Sequence, residues 1–247
     1  MASAPPASLR AVWSTRCGLF NIELHKLHCV VEPSGGGFAE LLLNPANGRL
    51  SGINYPTFRR GSDDEKDTMP GNWCVDHTAV ERQTSADVFI GATSCVDGLV
   101  HLLGGPSLKD ALAGRRCSVG EVVHTESFGS LRGSYPKGVL HTNAPAVTNP
   151  DSARLLRQCY EAALGEAFVE LRAASLASVL LGTGVRGIGA DVGARCAMLG
   201  ACRFWERRHG EVLGGKALRF AIRDDSRLQQ VATSFQEVKS AALRREF

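Results

Sequence analysis

Along the second half of the chain, short apolar runs take turns with stretches of helical periodicity, and few architectures tolerate that pattern. Val139-Leu140 opens a run that ends in His141-Thr142-Asn143-Ala144-Pro145. From Asp151 onward Leu156, Tyr160, Ala163 and Ala167 fall on one helical stripe. Leu176 to Leu181 is then a near-continuous apolar run, as in strands buried on both faces, and Gly182, Gly184, Gly187 and Gly189 end it. The helical period returns at Ala194, Ala197, Met198, Ala201 and Trp205, gives way to a strand at Leu218 to Ile222, and returns at Leu228, Val231, Phe235 and Val238. This succession predicts an α/β protein whose mixed, largely parallel central sheet is covered by helices, with ligands bound beyond the carboxyl ends of its strands.

In the first half, Leu27 to Val31, Leu41 to Leu43 and Glu121 to His124 read as strands. Residues 53–94 carry Asp63-Asp64-Glu65-Lys66-Asp67 and little sustained periodicity, so they read as an excursion inserted into the domain. Hydrophobic residues at 44% and charged residues at 21% exclude a disordered or coiled-coil chain, and 247 residues suit one large domain, placed at 17–247. Residues 1–16 read as a flexible tail whose serines and arginines, with no acid before Glu23, are compatible with organelle import. The expected location is otherwise intracellular, in cytoplasm or nucleus. No apolar run approaches the ~20 residues of a membrane span, so no membrane partner is expected. A net charge of +3 is too mild to point to nucleic acid. The eight cysteines are expected as reduced thiols, because a chain of this size needs no disulfide framework.

Three segments at strand ends could carry chemistry. In Asn44-Pro45-Ala46-Asn47-Gly48-Arg49-Leu50-Ser51-Gly52 the amides can hold a turn or orient a sugar hydroxyl. In Cys95-Val96-Asp97-Gly98, Asp97 stands where a helix begins, and capping with the helix dipole predicts a lowered pKa and an ionised group able to align a water. In Gly182-Thr183-Gly184-Val185-Arg186-Gly187 the glycines let backbone amides and a helix N-terminus face a diphosphate.

The order of these segments resembles the macro domain, an α/β/α fold that binds ADP-ribose. Asn44-Pro45-Ala46-Asn47 with Leu50 and Gly52 resembles the family's Asn-Ala-Ala-Asn segment, and Val96-Asp97-Gly98 with Gly105-Pro106-Ser107-Leu108 its Val-Asp-Gly helix. Gly120-Glu121-Val122-Val123, His141-Thr142 with Pro145, and Gly182-Thr183-Gly184-Val185 follow in the family's sequence, and Ala221-Ile222-Arg223-Asp224 resembles its last strand. The resemblance implies a three-layer α/β/α macro-type fold that takes ADP-ribose, a related nucleotide diphosphate or an ADP-ribosylated protein as partner, with no cofactor.

By the same resemblance Asn47 and Asp97 are the catalytic candidates. The ligand-binding set is Asn47, Gly52, Cys95, Val96, Gly182, Thr183, Gly184, Val185, Arg186, Gly187 and Arg223, with Asn44 fixing the loop. Arg186 and Arg223 stand where the family often has aromatics, and Glu32 where an acid reads the adenine. Three activities follow: an ADP-ribosyl hydrolase or O-acetyl-ADP-ribose deacetylase, a non-catalytic reader of ADP-ribosylated partners, and, from the glycine loop alone, a nicotinamide-dependent oxidoreductase. No metal is expected, although Cys74, His77 and Cys95 form a loose zinc-like set.

Overall fold

A computed structural model describes residues 8–14, 20–33, 37–52, 57–59, 87–89, 95–207 and 214–245. Strands β1 (Ser8–Ser14), β2 (Phe20–Lys26), β3 (Leu41–Ala46), β4 (Thr57–Arg59) and β5 (Asp87–Phe89) precede helix α1 (Val96–Leu112). Strand β6 (Val122–Thr125), helix α2 (Leu131–Ser134), β7 (Gly138–Asn143) and α3 (Ser152–Gly165) follow. A π-helical turn at Glu166–Glu170 leads to β8 (Ser175–Ser178), α4 (Ala190–Arg207), β9 (Lys216–Ile222) and α5 (Asp225–Arg245). The main sheet has seven strands in the order β1-β2-β9-β8-β3-β7-β6, and β4 with β5 forms a separate two-stranded sheet. Within the main sheet β2, β9, β8, β3 and β7 run parallel, whereas β1 and β6 are antiparallel edges.

Alternation along β3 divides the core into two. Leu41 and Leu43 pack with Leu156, Tyr160, Ala197 and Phe235 from α3, α4 and α5. Leu42 faces the other way, toward Val100 and Leu108 of α1 and Leu131 of α2. Side chains on a strand point alternately to opposite faces, so a central strand in a three-layer fold is apolar at every position. The chain therefore has the expected α/β/α layering with a mixed, largely parallel sheet.

Three sequence expectations need correction. Leu27 to Val31 is not a strand: the ladder lies at Phe20–Lys26, where buried Ile22 and Leu24 alternate with polar Asn21, Glu23 and His25. Leu27, Val30 and Val31 are buried beneath the sheet as a loop, held where the Tyr135 hydroxyl donates to the Val30 carbonyl. Burial without alternation thus imitated a strand. Within the stretch read as a tail, Ser8–Ser14 forms the edge strand β1, anchored by Trp13 stacked edge-on against Phe235 at 5.2 Å. The run from Leu176 keeps its strand only to Ser178, because the chain turns at the rim while Leu180 and Leu181 stay buried. Most of the inserted excursion, with Cys74 and His77, lies outside the described residues.

Candidate functional site

Parallel strands deliver their following loops to one edge, and here two of those strands pair over only part of their length. Strand β3 is laddered to β7 along its whole length, from Leu41↔Gly138 to Ala46↔Asn143. Its pairing with β8 covers only Leu41↔Leu176 and Leu42↔Ala177. Beyond Leu42 the two strands part. The turn carrying Asn47 leaves one of them and the loop carrying Thr183 leaves the other, at the same carboxyl edge. Chain connections also diverge here, from β3 toward β6 and β7 and from β8 toward β9, which is the topological switch where open α/β sheets bind ligands.

On the β3 side, Asn47 is the residue that fixes the turn. Its Oδ1 accepts from the Arg49 amide at 2.9 Å, and its Nδ2 donates to the Gly52 carbonyl at 3.3 Å. Gly52 has φ +67°, and a Cβ there would lie 2.7 Å from Cγ of His101. Only glycine lets the chain lie this close to the ring. Asn44, expected to fix the loop, instead sits within β3, wholly buried.

Helix α1 begins against this turn. Its N-cap is Cys95, whose Sγ accepts from the Gly98 amide at 3.3 Å, so capping does not fall to Asp97. Asp97 points inward: Asn44 Nδ2 donates to its Oδ1 at 2.7 Å, and His101 Nε2, one helical turn on, stands 3.7 Å from that oxygen. The same Asn44 nitrogen donates to His141 Nδ1 at 3.1 Å, and the far side of that ring meets Thr125 Oγ1 at 3.0 Å. A nitrogen that accepts from an amide carries no proton, so His141 is the neutral Nε2–H form and donates to Thr125. Burial, reinforced by the electrostatics of His101 and Arg115, holds His141 down to about 3.

Asp97 departs from the expectation of a lowered pKa. Burial pushes its carboxyl above the ordinary range, against the opposing pull of His101 and the Asn44 hydrogen bond. The helix-dipole reading assumed an exposed first turn, whereas Asp97 is fully buried. Among the described residues its Oδ2 is buried without a hydrogen-bond partner, as are Asn44 Oδ1 and both ring nitrogens of His101. The i, i+4 spacing of Asp97 and His101 is the signal in the sequence that joins the two.

On the β8 side, the glycine loop folds on itself before α4. The Gly187 amide donates to Gly184 O and the Ile188 amide to Gly182 O, both at 3.0 Å. Gly182 and Gly187 have φ +76° and +73°. Thr183 and Val185 are buried, with Thr183 Oγ1 donating to the Leu180 carbonyl at 2.9 Å, so the Thr183 hydroxyl is turned into the fold. Arg186 is half-buried and donates from Nη2 to Asn143 Oδ1 at 2.8 Å. Arg223 is exposed just past β9, and Glu32 is exposed in the loop after β2. Val96 is buried at the start of α1. Among the described residues no group of three His, Cys, Asp or Glu side chains is placed to hold a metal.

Layers, sheet order and rim define a three-layer α/β/α protein whose candidate site lies at the carboxyl edge of parallel strands. The Macro domain family model matches residues 85–197. Its structure is similar to that of an Oceanobacillus iheyensis macrodomain with ADP, at TM-score 0.61 and 18% identity, covering 95% of this chain and 98% of that one. It is also similar to a Trypanosoma brucei macrodomain in complex with ADP-ribose, at TM-score 0.54 and 20% identity over 87% of this chain and 68% of that one. At these identities the likeness establishes a shared fold. No curated protein matches the sequence. No described helix is long and apolar enough to cross a membrane.

Proposed function

We propose that the protein binds ADP-ribose, free or attached to a protein, in the crevice between β3 and β8. The observation that carries this reading is the parting of those strands beyond Leu42 and Ala177, with the Asn47 turn on one lip and the glycine loop on the other. A diphosphate suits the second lip, where positive-φ glycines bring backbone close and the N-terminus of α4 follows. The distal ribose suits the first, where Asn47 and Gly52 line the turn. The solved relatives bound to ADP and ADP-ribose support the same ligand class. Calorimetric titration with ADP-ribose, ADP and intact NAD tests it: binding strongest for ADP-ribose is expected, and equal or absent heats for all three would remove the reading.

One observation favours chemistry in addition to binding. Among the described residues Asp97 Oδ2 is an acceptor without a partner, on a carboxyl more basic than usual, at the N-terminus of the helix that borders the crevice. A water held there would pass a proton to Oδ2 as its oxygen bonds to the anomeric carbon of the distal ribose, or to the carbonyl of an ester on it. The linkage to the leaving group breaks, and that group departs with the proton that Oδ2 took from the water. Asp97→Asn separates this hydrolase from a reader. It is expected to retain ADP-ribose binding and to abolish release of ADP-ribose from a modified protein; a wild-type protein that binds but releases none would leave the reader.

A further inference from the structure

The two lips of the crevice share no ladder, yet they are mechanically joined by a route that runs around the far side of β3. Arg186 reaches from the glycine loop to the end of β7, giving Nη2 to Asn143 Oδ1 at 2.8 Å. The other end of that amide, Nδ2, donates to the Cys117 carbonyl at 3.3 Å. The Cys117 amide then donates to the Gly48 carbonyl at 3.0 Å, within the turn that Asn47 fixes. A parallel tie runs from the Val147 amide to the Arg186 carbonyl at 2.8 Å. Because β3 lies between β8 and β7 in the sheet, the Arg186 side chain bridges across the end of the strand that carries the turn.

We propose that Arg186 and Asn143 form a strut that sets the spacing between the two lips, and that they are positioning residues selecting for a ligand long enough to touch both. This rests on the ADP-ribose reading above and assigns Arg186 a task other than direct contact with base or phosphate. The chemistry fits: Asn143 is buried, and its amide must accept on one side and donate on the other, a pattern that neither Asp nor Leu reproduces. A guanidinium is the longer and flatter of the two basic donors and suits a fixed reach to an amide oxygen. ADP ends at the diphosphate and needs only the glycine-loop lip. ADP-ribose carries a further pentose and needs both lips at a set distance, so the strut favours the longer ligand.

A double-mutant cycle on Arg186→Ala and Asn143→Ala tests this, read as the ratio of ADP-ribose affinity to ADP affinity by calorimetry. Each single variant is expected to lower that ratio about 5- to 10-fold, a coupling within the range known for linked sites. The double variant should lower it no further, and Arg186→Lys, which keeps a donor, should recover part of it. Equal losses for both ligands in Arg186→Ala would mean direct phosphate contact and overturn the strut, as would additive single effects. Amide exchange gives a readout that needs no ligand: protection at Val147 and Cys117 should fall in either single variant, and unchanged protection at both overturns the mechanical link. Absence of ADP-ribose binding in the wild-type protein is a different result, which removes the functional reading and, with it, any selecting role for the strut.

Discussion

Asn44 shows how much of this fold turns on single polar groups. Its one NH₂ serves both Asp97 and His141, so a buried acid on α1 and a buried ring on β7 are fastened through the middle strand. In the sequence it stands beside Asn47 as one of two similar asparagines, and its depth was not legible because the strand continues through Pro45 to Ala46. A residue inside a strand and one in the turn after it look alike until the strand's end is known. His141 makes the network pH-sensitive. Its proton is lost on folding, since the ring is held near 3 in the native state against an ordinary 6.5. Below pH 6.5 the unfolded chain takes up a proton that the native one refuses, so stability must fall as pH falls.

Glu23 and Glu40 work in the same direction, but only near and below their ordinary value of 4.5. Asp97 has the opposite sign, because its raised native pKa makes protonation favour the fold. Between pH 6.5 and 4.5 the His141 contribution is about 2–3 kcal/mol at ~1.4 kcal/mol per pH unit. Urea melts across that range are expected to show the loss, and His141→Gln to flatten it. A loss as large in His141→Gln as in the wild type would show that the ring is not held neutral.

The contact between α4 and the glycine loop illustrates what one element demands of another. Gly193 lies in the first turns of α4, and a Cβ on it would sit 2.6 Å from Cγ2 of Thr183. Glycine inside a helix ordinarily costs about 0.5–1 kcal/mol relative to alanine, so the position is held by the neighbour and not by propensity. Gly193→Ala is therefore expected to destabilise the wild-type protein. In a Thr183→Ser background, where the methyl is gone and the hydroxyl can still reach the Leu180 carbonyl, the same change should stabilise by up to ~1 kcal/mol. Thermal melts of the four proteins decide it, and a stabilising Gly193→Ala in the wild type would show that the loop yields freely. The glycine spacing was legible in the sequence as a loop. The dependence of α4 on the Thr183 methyl was not, since spacing carries no information about which neighbour a side chain meets.

Across the whole molecule, the alternation of apolar runs and helical stripes was enough to recover the layers, the parallel centre and the final helix. It failed where the chain is buried without regular structure, as at Leu27 to Val31. It also failed where a register shift between Leu9 and Ala11 breaks the alternation of an edge strand, as at Ser8–Ser14, whose Leu9 and Val12 are exposed while Trp13 is buried. Strand β1 is the edge farthest from the crevice, with β2, β9 and β8 between them. Stability and binding should therefore separate there. Trp13→Ala removes a buried ring that stacks on Phe235 and donates to Gln236 Oε1 at 3.2 Å, and is expected to cost about 3–5 kcal/mol. Below its lowered melting temperature it should keep its ADP-ribose affinity within about twofold, as distant sites act independently. A large loss of affinity in folded Trp13→Ala protein would mean that edge and crevice are coupled.

The early parting of β3 from β8 leaves two neighbouring chains with few rungs between them. Whatever occupies that gap adds cohesion to the sheet itself, so occupancy and heat resistance are governed by one mass-action law. At a free concentration one hundred times its dissociation constant, an occupant confined to the native form raises stability by about 2.7 kcal/mol. A shift in melting temperature across a nucleotide library is thus a direct way to rank what the gap was shaped to hold.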